Sequence, residues 1–329
     1  MSADFTLADI EQLYERLKRD IVVTPILRCH AASELHGAAR DVASVTLKLE
    51  LMQIAGSFKI RGALSTLWSQ STATLARGVT AVSAGNHAIA VSFAARRLGI
   101  TAKVVMPKTA NPRRVEICRA HGAEVILADD VHAAFGIMES IAAKEGRFVV
   151  HPFEGRGVAM GTATVGLELL TQAPDIDAIV VPIGGGGLCA GVATAAKLLR
   201  PDCEVFGVEP FGADSMYRSL AAGAPQRLEK VDTIADSLGA PFALPYSFGL
   251  CRAALTEVVR VSDDELRAAM QLLFRDAKLA VEPAAAASTA ALRGPLEDRL
   301  SGRNVALIVS GTNLDGATFW RHLAAPPPG

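Results

Sequence analysis

From residue 78 onward the sequence alternates short apolar, β-branched runs with segments of helical period, and glycine or proline marks nearly every joint. No other feature constrains the fold as strongly. Strands are read at 45–50, 78–82, 101–106, 124–127, 148–150, 176–182, 204–209, 257–261 and 305–309. Helices are read at 5–20, 61–69, 87–98, 112–121, 131–144, 161–172, 188–199, 263–278 and 283–292, with Ser262 as a cap. Residues 22–26 read as an entry segment closed by Pro25, and 228–240 carry turn signals. Such a series predicts an α/β architecture, mostly parallel sheet flanked by helices. Ligands of such sheets sit beyond the carboxyl ends of strands. Three chemically suggestive stretches each follow an expected strand directly: Ser83-Ala84-Gly85-Asn86-His87, Gly184-Gly185-Gly186-Gly187 and Ser310-Gly311-Thr312-Asn313.

The chain of 329 residues exceeds one average domain, and its 50% hydrophobic content supports a sizeable core. With 33 basic against 34 acidic residues, nothing favours nucleic acid or an anionic membrane as partner. The start of the chain reads as an amphipathic helix without the pattern of a signal peptide. No apolar run of about 18 residues suggests a membrane span, so a cytoplasmic location is expected. Cys29, Cys118, Cys189, Cys203 and Cys251 are scattered without a CxxC pair, which reads as reduced thiols. The tail from Pro326 to Gly329 is expected to lack order.

Four consecutive glycines free the backbone to turn its N–H groups toward one point, and the helix that follows adds unpaired N–H groups and a partial positive charge. That is an anion site suited to phosphate; the alternative is a flexible loop that permits tight helix packing. No Gly-Lys-Ser/Thr follows, and Cys189 stands where a dinucleotide fingerprint from Gly184 needs glycine, so a monophosphate is favoured over ATP or NAD. The Ser83–His87 stretch offers a second anion site, fit for a carboxylate, or a simple cap by Ser83 or Asn86. His87 reads as a packing or capping residue rather than a base. Ser310 could face a ligand, although Ser-Gly is a common turn pair. The remaining stretch is Gly56-Ser57-Phe58-Lys59-Ile60-Arg61-Gly62. An amine at Lys59, desolvated beside a phosphate, has the chemistry for a Schiff base, and Phe58 could lie on a flat ring. Taken alone, Lys59 reads more readily as a solvated surface charge.

In order and approximate spacing, Lys59 in its stretch, the Ser83–His87 loop, the Gly184–Gly187 run and Ser310-Gly311 resemble the serine/threonine dehydratases. These are pyridoxal phosphate enzymes of the tryptophan-synthase-β-like fold (fold type II). The similarity runs from about Leu7 to Asp315. It implies a two-domain fold, with 1–70 and 152–329 as the large domain and 71–151 as a small domain inserted in it. It implies pyridoxal 5'-phosphate as cofactor, a small amino-acid substrate and a homodimer. Lys59 would hold the cofactor and move the α-proton, with Phe58 against the ring. Gly184, Gly185, Gly186, Gly187 and Leu188 would hold the phosphate, Asn86 the ring hydroxyl, and Ser310 would face the ring nitrogen. Glu282 would sit close to the ring. Ser83, Ala84, Gly85, Asn86 and His87 would surround the substrate carboxylate. The implied reaction is β-elimination from a β-hydroxy amino acid, threonine or serine first, giving a 2-keto acid and ammonia. A neutral serine at the ring nitrogen suits elimination over transamination. Alternatives are 3-hydroxyaspartate or phenylserine as substrate, a serine racemase, or a cofactor-binding protein that has lost turnover. A sugar-phosphate or nucleotide-binding module would explain only the glycines.

Several positions depart from the family pattern. Ala84 replaces the serine that serves related serine racemases as acid and base on the opposite face, which disfavours racemisation. Thr312 replaces a glycine and is expected to add bulk near the cofactor. Some relatives bind a cation through residues matching Glu209, the Ala213 carbonyl and an acid at 215; Ser215 stands there, and no metal is expected. The sequence ends soon after Leu323, so a C-terminal regulatory domain is not expected.

Overall fold

The computed structural model describes residues 3–29, 35 and 42–324; the proline-rich tail expected to lack order lies outside them. In chain order the elements are α1 (Leu7–Leu17), β1 (Ile26–Arg28), β2 (Ser44–Lys48), α2 (Lys59–Trp68), α3 (Thr72–Leu75), β3 (Val79–Val82), α4 (Asn86–Leu98), β4 (Ala102–Pro107), α5 (Pro112–Ala120), β5 (Glu124–Ala128), α6 (Val131–Glu145) and β6 (Phe148–Val149). There follow α7 (Arg156–Gln172), β7 (Ala178–Pro182), α8 (Gly187–Leu199), β8 (Glu204–Pro210), α9 (Ser215–Ala222), α10 (Pro245–Ala254), β9 (Glu257–Val261), α11 (Asp263–Ala277), α12 (Pro283–Leu292), β10 (Asn304–Ile308) and α13 (Gly316–Leu323).

Two sheets form, as the α/β expectation required. One has six strands in the order β1-β2-β10-β7-β8-β9, parallel except for β1 against β2. The other has four parallel strands in the order β5-β4-β3-β6. Every residue of β7 and of β3 is buried, because helices cover both faces of their sheets. The chain leaves the larger sheet after β2, builds the whole smaller sheet, and returns at β7. Ser83–His87 follows the carboxyl end of β3, Gly184–Gly187 that of β7 and Ser310 that of β10. No helix among the described residues is long and apolar enough to cross a membrane.

Several elements escape the sequence reading. Strand β1 is an edge strand of three residues, too short for a periodic signal. Helices α9 and α10 lack local side-chain caps; their first N–H groups are taken by distant carboxylates, Glu209 for α9 and Glu154 for α10. Helix α13 was also not read, although Asp315 caps it locally. Helix α7 begins five residues before the expected position 161, because Gly155, at φ 98°, turns the chain directly into it.

Candidate active site

Helices α2, α4 and α8 begin around one system of cavities, from Phe58, Gly85 and Gly186, and none is capped by its N-cap side chain. Away from this place, α1, α6, α11 and α13 are capped by Thr6, Asp130, Ser262 and Asp315. The N–H groups of Gly184 through Leu188 donate to no acceptor among the described residues. They lie at the start of α8, where its partial positive charge is greatest. The glycines there are required by crowding. A Cβ on Gly185 would fall 2.2 Å from the Phe153 ring, and one on Gly187 2.6 Å from the Phe153 carbonyl. Gly186 has φ 95°, in the left-handed region that other residues avoid.

A narrow pocket of ≈ 30 Å³ is lined by Phe58, Lys59, Asn86, Gly184, Gly185, Gly186, Gly187, Leu188, Glu282 and Ser310. A wider cavity of ≈ 200 Å³ shares Lys59, Asn86 and Gly185 with it, and adds Ser83, Ala84, Gly85 and His87. These two spaces gather every site residue named from the sequence. Lys59 is the first residue of α2, half-buried, and its Nζ donates to the Pro152 carbonyl at 2.6 Å and lies 5.1 Å from the Phe58 ring centre. Burial disfavours its charge and pulls its pKa down to about 8, with the Glu282 carboxylate pulling the other way.

Asn86 is held on both ends of its amide. Its Nδ2 donates to Glu282 Oε1 at 2.7 Å, and its Oδ1 accepts from Asn313 Nδ2 at 2.7 Å. Ser83 Oγ accepts the Gly85 N–H at 3.1 Å, so it shapes the turn ahead of α4 rather than capping the helix. The N–H groups of Asn86, His87 and Ala88 are left without acceptors among the described residues. His87 is buried with Nε2 at 2.8 Å from the Val150 carbonyl, and burial followed by the Lys59 charge drops its pKa to about 3. It is a neutral, packed imidazole. Burial raises the Glu282 carboxyl to about 7, against the pull of the Arg114 guanidinium.

The sequence reading missed the turn at His151–Glu154. His151 Nδ1 accepts the N–H groups of Phe153 and Glu154, Pro152 receives Lys59, and Phe153 packs on Gly185. It also missed Arg114, which lines the wider cavity and donates to Asp236 Oδ2 at 2.5 Å and to the Asn313 carbonyl at 2.7 Å. A His-Pro pair directly after strand 148–150 was the available signal for the turn; nothing local marked Arg114. Thr312 lines neither cavity, contrary to expectation, because its hydroxyl turns away to donate to the Ala280 carbonyl at 2.5 Å. Glu209 accepts the N–H groups of Met216 and Tyr217 at 2.9 and 2.7 Å, and burial raises it to about 8. The neighbouring Ser215 hydroxyl is buried without a partner.

Residues 17–311 match the family model described as pyridoxal-phosphate dependent enzyme. Phenylserine dehydratase of Ralstonia pickettii is 53% identical over 96% of this chain and 96% of that one. L-threonine ammonia-lyase of Thermotoga maritima is 37% identical over 94% of this chain and 76% of its own. Among solved structures, maize serine racemase superposes with a TM-score of 0.91 at 32% identity, covering 97% of each chain. By its residues, its two-sheet architecture and these likenesses, the chain belongs to the pyridoxal-phosphate dependent enzymes of fold type II.

Proposed function

We propose that this protein uses pyridoxal phosphate to dehydrate and deaminate a β-hydroxy amino acid with an aryl β-substituent, releasing a 2-keto acid and ammonia. The observation that carries the reading is that Lys59 shares its cavities with two uncapped helix starts. One suits a phosphate and the other a carboxylate. The cofactor fits on the chain's own terms: the N–H groups of Gly184 to Leu188 lack acceptors among the described residues, and the close approach of Phe153 leaves no room for a Cβ on Gly185 or Gly187. In this reading Phe58, Asn86, Glu282 and Ser310 surround the ring, and Ser83, Ala84, Gly85, Asn86 and His87 receive the substrate carboxylate.

Bound there, pyridoxal phosphate supplies an electron sink for the charge left when the α-proton departs. Lys59 does the proton work. With its pKa pulled toward neutrality, part of the amine is uncharged and able to take the α-proton. The same group then protonates the departing β-hydroxyl, so the proton leaves as part of water. His87, neutral and fixed to Val150, holds the start of α4 in place without competing as a base.

The far wall of the wider cavity selects the substituent. Val82, Pro107, Ala134, Phe135, Ala240 and Pro241 line it, an apolar surface suited to a phenyl group. Its cationic lining residues are Lys59 and Arg114, and Arg114 is already paired with Asp236 and Glu282. A second substrate carboxylate, as in 3-hydroxyaspartate, would lack a free counter-charge there. The phenylserine dehydratase likeness points the same way, ahead of threonine and serine. Ala84 offers no acid or base for a racemase. A homodimer in the cytoplasm completes the reading, and sedimentation of the purified protein checks the former.

The test is direct. Protein supplied with pyridoxal phosphate should turn yellow, the Lys59→Ala variant should lose that absorbance, and keto acid should appear from phenylserine faster than from threonine, serine or 3-hydroxyaspartate. A wild-type protein that stays colourless sinks the cofactor assignment; a preference for threonine or serine sinks the aryl assignment alone.

A further inference from the structure

Two residues after Lys59, on the same helix, Arg61 lies fully buried in a network of four charges. Its Nε and one terminal nitrogen grip Glu50, both at 2.8 Å, and its terminal nitrogens reach Glu168 at 3.1 and 3.2 Å. Lys48 Nζ joins the same Glu168 at 2.5 Å. The Thr24 hydroxyl and N–H close the network on Glu50 and Glu168 at 2.6 and 2.8 Å. Two cations and two anions cancel, and each of the four is at most 1% exposed.

Such a cluster adds little net stability, because the loss of hydration offsets most of the mutual attraction. What it does supply is a fixed orientation. Helix α2 starts without a side-chain cap. Two residues along a helix correspond to roughly 200° of rotation, so Lys59 and Arg61 project to opposite sides of it, and clamping Arg61 fixes the rotation that aims Lys59. Part of the clamp, through Glu168, is made to α7, and α7 also holds the glycine cradle. Thr162 Oγ1 donates to the Gly187 carbonyl at 2.7 Å. A Cβ on Gly161 would strike the Arg61 carbonyl at 2.4 Å, and one on Gly191 the Ala159 carbonyl at 2.5 Å. One helix is therefore pressed against both the lysine-bearing helix and the phosphate-side helix.

We propose that the network of Arg61, Glu50, Glu168 and Lys48 is a positioning device that sets where Lys59 stands relative to the glycine cradle. Arg61 is a positioning residue here, since it lines neither cavity. The inference rests on Lys59 being the cofactor lysine, so wild-type protein is first confirmed to be yellow; a colourless wild type would remove that basis rather than address the clamp.

The paired variant Arg61→Met with Glu50→Gln keeps the net charge and leaves an acceptor oxygen for the Thr24 hydroxyl. It should melt close to the wild type. Its yellow absorbance should nevertheless weaken or shift, and its kcat should fall roughly 10- to 100-fold, the scale of a small misplacement at a reacting group, with KM changing less. A folded variant with wild-type absorbance, cofactor affinity and kcat overturns the proposal, as does one altered in KM alone. Should the paired variant fail to fold, Arg61→Lys, which retains the charge without the two-pronged grip, carries the same expectation and the same outcomes.

Discussion

The helix starts at Gly187 and at Asn86 face the same lysine but are made differently. The first is shaped by missing side chains: four glycines, one of them left-handed, let Phe153 and Leu238 press against the backbone. The second is shaped by side chains that are present: Asn86 tied to Glu282 and Asn313, Ser83 bonded to the turn, and Arg114 closing over Gly85. The first offers N–H groups and leaves no room for a side chain at Gly185 or Gly187. The second, proposed above to meet the substrate, presents side chains that can be exchanged one at a time.

The difference can be broken most severely at Gly185. Gly185→Ala places a methyl 2.2 Å from the Phe153 ring. Overpacking of about 1–3 kcal/mol corresponds to cofactor held roughly 5- to 150-fold more weakly. Equilibrium dialysis with pyridoxal phosphate measures this; unchanged affinity would show that the cradle is looser than the structure indicates. On the other side, Phe135→Ser should leave cofactor affinity alone and lower the phenylserine-to-threonine ratio of kcat/KM by about tenfold, the worth of one partly buried aromatic contact. Steady-state assays on both substrates decide it, and a change in cofactor affinity instead would erase the proposed division of labour.

A subtler experiment follows from charge. Attachment of pyridoxal phosphate to cofactor-free protein requires the neutral amine. Burial depresses the Lys59 pKa to about 8, so the attachment rate should rise with pH and level off above that value. The Glu282 carboxylate opposes the depression, so Glu282→Gln should move the midpoint lower. Because Glu282 itself sits at about 7, the two curves should separate only above that pH. Stopped-flow absorbance across pH checks both statements. The smallest effect is expected for Thr162→Val, which loses the hydroxyl bond to Gly187; at about 1 kcal/mol, cofactor affinity should fall a few-fold, measured by the same dialysis.

How much of this was legible depended on whether the cause was local. Alternation of apolar runs with helix-period segments gave the α/β class, because burial on both faces leaves a strand with hardly any polar positions, as in β7. Ser262 was readable as a cap because its partner Glu265 stands three residues away. Helices α9 and α10 were not, because Glu209 and Glu154 reach them from elsewhere in the chain. At the site, glycines and an unusual lysine stretch stand out in one dimension. Arg114, Phe135 and the His151–Glu154 turn do not, since a surface-type arginine and an ordinary phenylalanine acquire meaning only from what the fold sets beside them. Thr312 shows the converse: its substitution looked consequential in sequence, yet its hydroxyl is directed to the Ala280 carbonyl.

The route of the chain has a consequence for how such proteins diversify. It departs from the six-stranded sheet, completes the four-stranded one, and comes back through His151–Glu154. Ser83 to His87, Arg114, Ala134 and Phe135 all belong to that excursion, whereas the glycine run, Glu282 and Ser310 belong to the remainder. The excursion thus behaves as a cassette. On the proposed reading, splicing the corresponding segment from a relative into this scaffold would exchange most of the vocabulary of substrate choice in one genetic event, while the inherited chemistry stays behind in the host.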